Sequence, residues 1–187
     1  DGMSLSGIDF ELLGIQPTQI SSVEILHQKS GHSVWRLKAG RSWRVLKCFK
    51  ADGALEPQVY ALLERYGIPT LPVHARTSQS LLLEDLAHSR DWRLANPKDM
   101  QRAETGLALA VWYQSLHKAG YEALACKDTL PVGLVPWIEQ MSAENTSHAG
   151  IRLGIENEPG WHVALESLEA LKARARRMPR TFNYEDF

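Results

Sequence analysis

Three short runs rich in Val, Ile, Trp and Leu between residues 21 and 50 constrain the fold more than any other feature of the chain. They are separated at Ser30-Gly31-His32 and at Ala39-Gly40-Arg41, which have the composition of turns. Connections this short cannot carry a parallel crossover, so the runs predict a three-stranded antiparallel meander. His32 is expected to be an exposed turn residue.

The third run places a lysine among apolar side chains. Alternation along a strand puts four residues on one face: Trp43, Val45, Lys47 and Phe49. Burying a lysine is costly unless an anion meets it. Two interpretations follow. The stem lies along the sheet while the ammonium reaches water, or a carboxylate or phosphate lies next to Lys47.

One helix and two more strands follow the meander. Val59, Leu62, Leu63 and Tyr66 repeat at helical spacing, and Gly67 with Pro69 ends the pattern. Extended runs then cover residues 73–77 and 80–85, the second of them continuously apolar and therefore predicted to be buried. The predicted order is βββαββ.

The remainder of the chain has a helical pattern. The segment Thr105–His117 is apolar almost all round, which predicts a helix buried on every side, and residues 131–141 and 161–177 carry further helical patterns.

Asp, Ser, Asn and Pro cluster between residues 86 and 97, so we predict two lobes, 1–90 and 91–187. Trp137 and Trp161 fit either a core or a substrate pocket, and the basic run from residue 172 to 180 is expected to be a solvated helix face.

Composition excludes several classes of protein. The 21 basic and 22 acidic side chains nearly cancel, so no broad field attracts nucleic acid or an anionic membrane. No apolar stretch approaches the ~20 residues of a membrane span, and Cys48 and Cys126 lack the spacing of a metal clip or redox pair. We predict a soluble cytoplasmic protein. Asp1-Gly2 is interpreted as an expression remnant in front of Met3.

Four motifs together resemble a known family. They are Arg44-Val45-Leu46-Lys47, the stretch from Glu56 to Gly67-Ile68-Pro69, the segment Ser80-Leu81-Leu82-Leu83-Glu84-Asp85-Leu86, and Ser115-Leu116-His117. Their order and spacing, from Val23 to Phe187, resemble the protein-kinase-like fold and more closely the aminoglycoside and choline phosphotransferase superfamily. The resemblance implies an α+β chain, in which a five-stranded antiparallel lobe with one helix is followed by a truncated, mostly helical lobe.

The resemblance also implies an ATP site. Lys47 would pair with Glu56 and hold the phosphates, while adenine would lie against Val45 and bond the Glu84 carbonyl and the Leu86 amide. The family's loop between the first two strands is glycine-rich, whereas this chain offers only Gly31 there, with Ser33 and nearby amides as phosphate donors; a turn without ligand explains Gly31 almost equally well.

Pro57 complicates the Lys47–Glu56 pair. Proline disfavours helical geometry at the preceding residue, which predicts Glu56 as an N-cap whose carboxylate competes with the pair. Glu64 lies off the apolar face of the helix and is expected in solvent.

The segment Thr181–Phe187 is similar to the family's catalytic loop, His-Gly-Asp followed by an apolar residue. Asp186 holds the position of the base that accepts the proton of the attacking hydroxyl. Tyr184 and Glu185 stand where histidine and glycine are usual, so the contacts that support the loop must differ. The alternative is a surface aspartate in a terminal tail.

The family's magnesium ligands would follow residue 187, so this chain is assigned no metal ligand of its own. We predict that it has little activity alone, and that its partners are a small hydroxyl-bearing substrate and a missing C-terminal part of the same protein, which would cover the apolar helix. The function expected is ATP-dependent phosphoryl transfer. A non-catalytic, pseudokinase-like binding or interaction module is the alternative, and a structural α+β domain without nucleotide is a third.

Overall fold

The computed structural model describes residues 8–29, 31–50, 54–126, 130–131, 134 and 141–182. Within them the chain is α+β, with one five-stranded antiparallel sheet and five α-helices. It forms two compact units, Asp1–Ala119 and Gly120–Phe187. This division does not coincide with the boundary expected near residue 90, and the two functional lobes stay a prediction.

The first unit is built around the sheet. Its strands are β1 (Ile20–Gln28), β2 (His32–Ala39), β3 (Ser42–Phe49), β4 (Val73–Arg76) and β5 (Ser80–Glu84), in the order β1-β2-β3-β5-β4. Helix α1 (Leu55–Arg65) connects β3 to β4. The predicted meander and the predicted order βββαββ are therefore confirmed. Gly40, with φ +59°, allows the two-residue turn between β2 and β3, where a side chain would be strained.

The two faces of the sheet differ. On the core face, Trp35, Leu37, Leu46, Cys48 and Leu82 form a buried cluster. Leu13 and Ile15 complete it, because the segment that precedes β1 packs against this face. The opposite face, called the Lys47 face below, carries Val45 and Lys47, since neighbouring residues of a strand point to opposite sides.

Helix α1 begins two residues earlier than the proline rule predicts. Ala54 is the N-cap, and Glu56 lies in the first turn, so the prediction that Glu56 caps the helix is wrong. Pro57 is accommodated because amides of the first turn have no partner within a helix. Gly67, with φ +64°, ends the helix and lets Ile68 N bond Leu63 O at 2.9 Å.

Helix α2 spans Ala103–Ala125 and is longer than predicted. Its C-terminal half buries Leu116, Ala119 and Ala123, but Leu107 is 67% exposed and Val111 54% exposed. The expectation of a helix buried on every side is therefore wrong for this chain. The apolar composition of the first half reflects a face that the described residues leave open.

The described part of the second unit contains three further helices: α3 (Ala143–Leu153), α4 (Pro159–Glu166) and α5 (Leu168–Arg176). The pattern at 161–177 thus forms two helices with Ser167 between them, and α3 was not predicted. The Trp161 indole packs so closely on Gly150 that a side chain there would collide with it. Most of the helix predicted at 131–141, including Trp137, lies outside the described residues. No helix within the described ranges is long and apolar enough to cross a membrane.

Candidate functional site

Lys47 meets a carboxylate, as one of its two interpretations requires. Lys47 Nζ lies 2.5 Å from Glu56 Oε2, which confirms the predicted pair between β3 and α1. The two side chains are 24% and 35% exposed. Water screens such a pair, so it contributes no more than about 1 kcal/mol to stability. Its consequence is geometric, because Glu56 holds the ammonium in place above the sheet.

A cavity of about 440 Å³ is bordered by Val45 and Arg36 of the Lys47 face and by the segment after β5. Its lining residues are Leu26, Arg36, Val45, Leu71, Glu84, Asp85, Leu86, Ala87 and Leu94. The three residues predicted to contact adenine, Val45, Glu84 and Leu86, therefore meet in one cavity. Val45 precedes Lys47 by two positions on the same face. The volume is in the range of small-molecule sites, and most of the lining is apolar.

A buried carboxylate organises the polar side of the cavity. Asp85 Oδ2 accepts hydrogen bonds from Arg36 Nε at 2.9 Å and from His88 Nδ1 at 2.6 Å, and Asp85 Oδ1 accepts one from the Ala87 amide at 3.2 Å. Arg36 Nη1 also donates to Glu24 Oε2 at 2.7 Å. These bonds tie β1 and β2 to the segment that contains Leu86.

The same contacts set the charges of these groups. Burial raises the pKa of the Asp85 carboxyl, but the hydrogen bonds from His88, Ala87 and Arg36 outweigh it, and the net pKa lies below its ordinary value. The hydrogen bond to Glu24 raises the pKa of the Arg36 guanidinium. Arg36 and Asp85 are therefore an ion pair at neutral pH.

The side chain of Glu84 has bonding partners of its own, separate from the backbone carbonyl that is predicted to contact adenine. Glu84 Oε2 accepts from His74 Nε2 at 2.8 Å and lies 3.4 Å from Arg44 Nη1. Hydrogen bonds from His74 and Ser89 lower the pKa of this carboxyl. The role predicted for Glu84 uses its carbonyl, so these side-chain bonds do not compete with it.

Two histidines lie at the loop end of the Lys47 face. His32 is the first residue of β2 and is half-buried, so the expectation of an exposed turn residue is wrong. Its ring centroid is 5.5 Å from that of His27 and 6.4 Å from that of Phe49. Lys47 Nζ lies 5.4 Å from the same Phe49 ring.

Ser33 does not belong to this face. Its register partner is Cys48, whereas that of Lys47 is Val34. Because directly paired residues share a face and successive residues alternate, the Ser33 side chain points into the core, where it is fully buried. Its hydroxyl has no hydrogen-bond partner among the described residues. The predicted use of this hydroxyl as a phosphate donor is therefore wrong.

Gly31 precedes β2 and is exposed. Its φ is not positive, and a Cβ placed on it would have no atom within 4 Å among the described residues. Neither the backbone nor the surrounding described residues thus require glycine at this position. Its predicted contact with phosphate stays a prediction.

Asp186, with Tyr184 and Glu185, lies outside the described residues. Of the predicted catalytic loop the structure describes Thr181 and Phe182. They lie against Gly120 of α2 so closely that any larger residue at 120 would collide with them. In the described ranges there is no group of three or more His, Cys, Asp or Glu side chains that could hold a metal ion.

Sequence reasoning missed several residues of the cavity. The pairing of Arg36 with Val45 across the β2–β3 hairpin was a usable signal, because directly paired residues share a face. Leu26 lies where β1 shifts register between Ile25 and His27, and no pattern in the sequence marks that irregularity. Leu71 and Leu94 stand in connecting segments without periodicity.

Comparison with models of known protein families, with curated protein sequences and with solved structures finds no match to this chain.

Proposed function

We propose that this chain binds ATP on the Lys47 face and supplies the nucleotide-binding part of an ATP-dependent phosphotransferase that acts on a small hydroxyl-bearing molecule. The observation that carries the proposal is that the sheet face with the Lys47–Glu56 pair also carries Val45, which lines a cavity together with Glu84 and Leu86. One sheet face thus offers an apolar slot for a flat heterocycle and a positioned cation for phosphate.

The division of labour follows from the chemistry of each group. Val45, Leu26 and Leu94 provide apolar surface for a base. The Glu84 carbonyl and the Leu86 amide are an acceptor and a donor for its edge. Lys47, held by Glu56, neutralises phosphate charge, and such positioning is most of what catalysis of phosphoryl transfer requires.

Transfer itself needs a group that orients the attacking hydroxyl and accepts its proton. Asp186 is the proposed base, by its place in the sequence motif alone. Magnesium would neutralise charge on the phosphates when bound, and we assign none of the described residues to it.

Isothermal titration of the chain with ATP tests the binding half of the proposal. Val45→Trp fills the cavity and should abolish binding of both ATP and adenosine, while Val23→Trp, at an exposed position of β1, is the matched control and should bind as the wild type does. Equal affinity of Val45→Trp and the wild type for ATP would refute the assignment of the cavity.

The catalytic half is tested on the chain joined to the C-terminal part that the family resemblance implies, because little activity is predicted for the chain alone. The assay is transfer of the γ-phosphate from ATP to a panel of amino- and hydroxyl-bearing compounds in the presence of magnesium. Asp186→Asn should remove any transfer and leave ATP binding intact. Binding without transfer to any acceptor would favour the non-catalytic binding module instead.

A further inference from the structure

The loop end of the Lys47 face concentrates basic groups. Four basic groups of the described residues lie near one another there: Lys47, Lys29, His27 and His32. Of the described acidic side chains, Glu56 acts on His32. Within the part of the chain that the structure describes, two lysines thus oppose one glutamate at this end. This excess of positive charge is local, because the chain as a whole is nearly neutral.

The backbone explains why these groups converge. His27 is paired with Val34, and Val34 with Lys47, so all three share one face of the sheet. His32 stands two residues before Val34 on the same face, diagonal to His27, and their rings approach to 5.5 Å. Phe49 lies between His32 and Lys47 and contacts both. Three strands therefore bring two imidazoles to the ammonium that Glu56 positions.

We propose that His32, assisted by His27, binds the phosphate groups of the nucleotide, donating a hydrogen bond from its ring and adding a positive charge when protonated. The inference rests on the proposed function, because it places polyphosphate at Lys47. It assigns to two side chains the phosphate contacts that a glycine-rich loop would make through backbone amides, which this chain has little glycine to provide.

Protonation of His32 and binding of phosphate are then linked. Burial lowers the pKa of His32 below its ordinary 6.5, with Lys47, His27 and Lys29 lowering it further and Glu56 opposing them. A bound polyphosphate adds negative charge next to the ring and raises this pKa again. Between the pKa of His32 in the free protein and its pKa in the complex, the complex therefore holds more protons than the free protein. The affinity for ATP then rises as the pH falls.

Titration of the chain with ATP at pH 8, 7 and 6 tests the inference. A rise of one unit in the pKa of His32 on binding gives at most about a tenfold gain in affinity, and this limit is reached only at a pH below the pKa of the free protein. Because that pKa lies below 6.5, we expect a gain of a few-fold between pH 8 and pH 6. His32→Gln should lose that gain, and His27→Gln should lose part of it. ATP's own ionisation changes over this range, but at each pH it is the same for the wild type and the variants, so it cancels when proteins are compared at one pH. His74→Gln is the matched control, because His74 bonds the Glu84 side chain and lies off the loop end.

Two further measurements complete the test. Calorimetry in two buffers of different ionisation enthalpy should show that the wild type takes up more protons than His32→Gln on binding ATP at pH 6.5, since proton exchange by ATP itself is common to both. Adenosine, which lacks phosphate, should bind with the same affinity across the pH range and to His32→Gln.

The outcomes separate the inference from the proposed function. If the wild type binds ATP but takes up no more protons than His32→Gln, and the two have the same dependence on pH, the phosphate role of His32 is wrong while the nucleotide site stands. If the wild type binds neither ATP nor adenosine at any of these pH values, the proposed function itself fails.

Discussion

Replacing Asp85 with alanine should destabilise the protein far more than removing an ion pair at its surface. The Asp85 side chain is 3% exposed and accepts three hydrogen bonds, from Arg36, His88 and the Ala87 amide. Breaking a buried pair by removing one partner typically costs about 3–5 kcal/mol. Arg36 keeps Glu24 as a second partner, so we expect the lower end, about 3 kcal/mol.

Urea unfolding, monitored by far-UV circular dichroism, measures this loss in the free energy of unfolding, provided that the variant and the wild type have the same m-value. Glu64→Ala is the matched control. Glu64 bonds Arg76, but the two side chains are 69% and 38% exposed, as predicted for Glu64. Its removal should cost less than about 1 kcal/mol. Equal losses for Asp85→Ala and Glu64→Ala would refute the view that Asp85 organises the cavity.

The same carboxylate predicts a dependence on pH. Because the pKa of Asp85 is lower in the folded protein than its ordinary 3.8, its stabilising effect is complete above that value and is lost as the pH falls through the folded pKa. The difference in unfolding free energy between the wild type and Asp85→Asn should therefore be constant near neutral pH and shrink below about pH 4. A difference that stays constant down to pH 2 would contradict this assignment of charge.

Two substitutions near the loop between β1 and β2 separate stability from binding. Ser33→Ala removes a buried hydroxyl without a described partner. In thermal unfolding it should be neutral or stabilise the fold by up to about 1 kcal/mol, and its affinity for ATP should be unchanged. A loss of affinity would place Ser33 at the phosphates after all. Gly31→Ala meets no steric conflict with the described residues, so stability should stay equal or rise by up to about 1 kcal/mol. The same change should weaken binding of ATP but not of adenosine in a binding titration, because a methyl group would hinder close approach of phosphate. Unchanged ATP affinity of Gly31→Ala would mean that phosphate does not approach this backbone.

The sheet could be predicted from sequence because its signals are local. Alternation along β3 placed Lys47 and Leu46 on opposite faces of the strand. The turn at Gly40 and the helix end at Gly67 marked boundaries between elements. The packing of residues 8–15 on the core face has no such signal, because Leu13 and Ile15 become core residues only through a contact with distant strands.

The site was predictable to a lesser degree. The Lys47–Glu56 pair was an expectation from the family resemblance, which marks both positions. The face occupied by Ser33, by contrast, depends on the exact start of β2, and a shift of one residue reverses it. The same one-residue shift made His32 a strand residue instead of a turn residue. The exposure of Leu107 could not be predicted, because composition reports how apolar a helix is and not what covers it.

The central claim is that ATP binds on the Lys47 face, and a thermal-shift titration with ATP tests it most directly. A ligand at 100 times its Kd stabilises the folded state by about 2.7 kcal/mol. The account predicts a clear rise in Tm for the wild type and for Lys38→Ala, a lysine at the far end of β2 that lies over Trp43, and little or no rise for Lys47→Ala. No rise for the wild type at millimolar ATP, or an equal rise for Lys47→Ala, would contradict it.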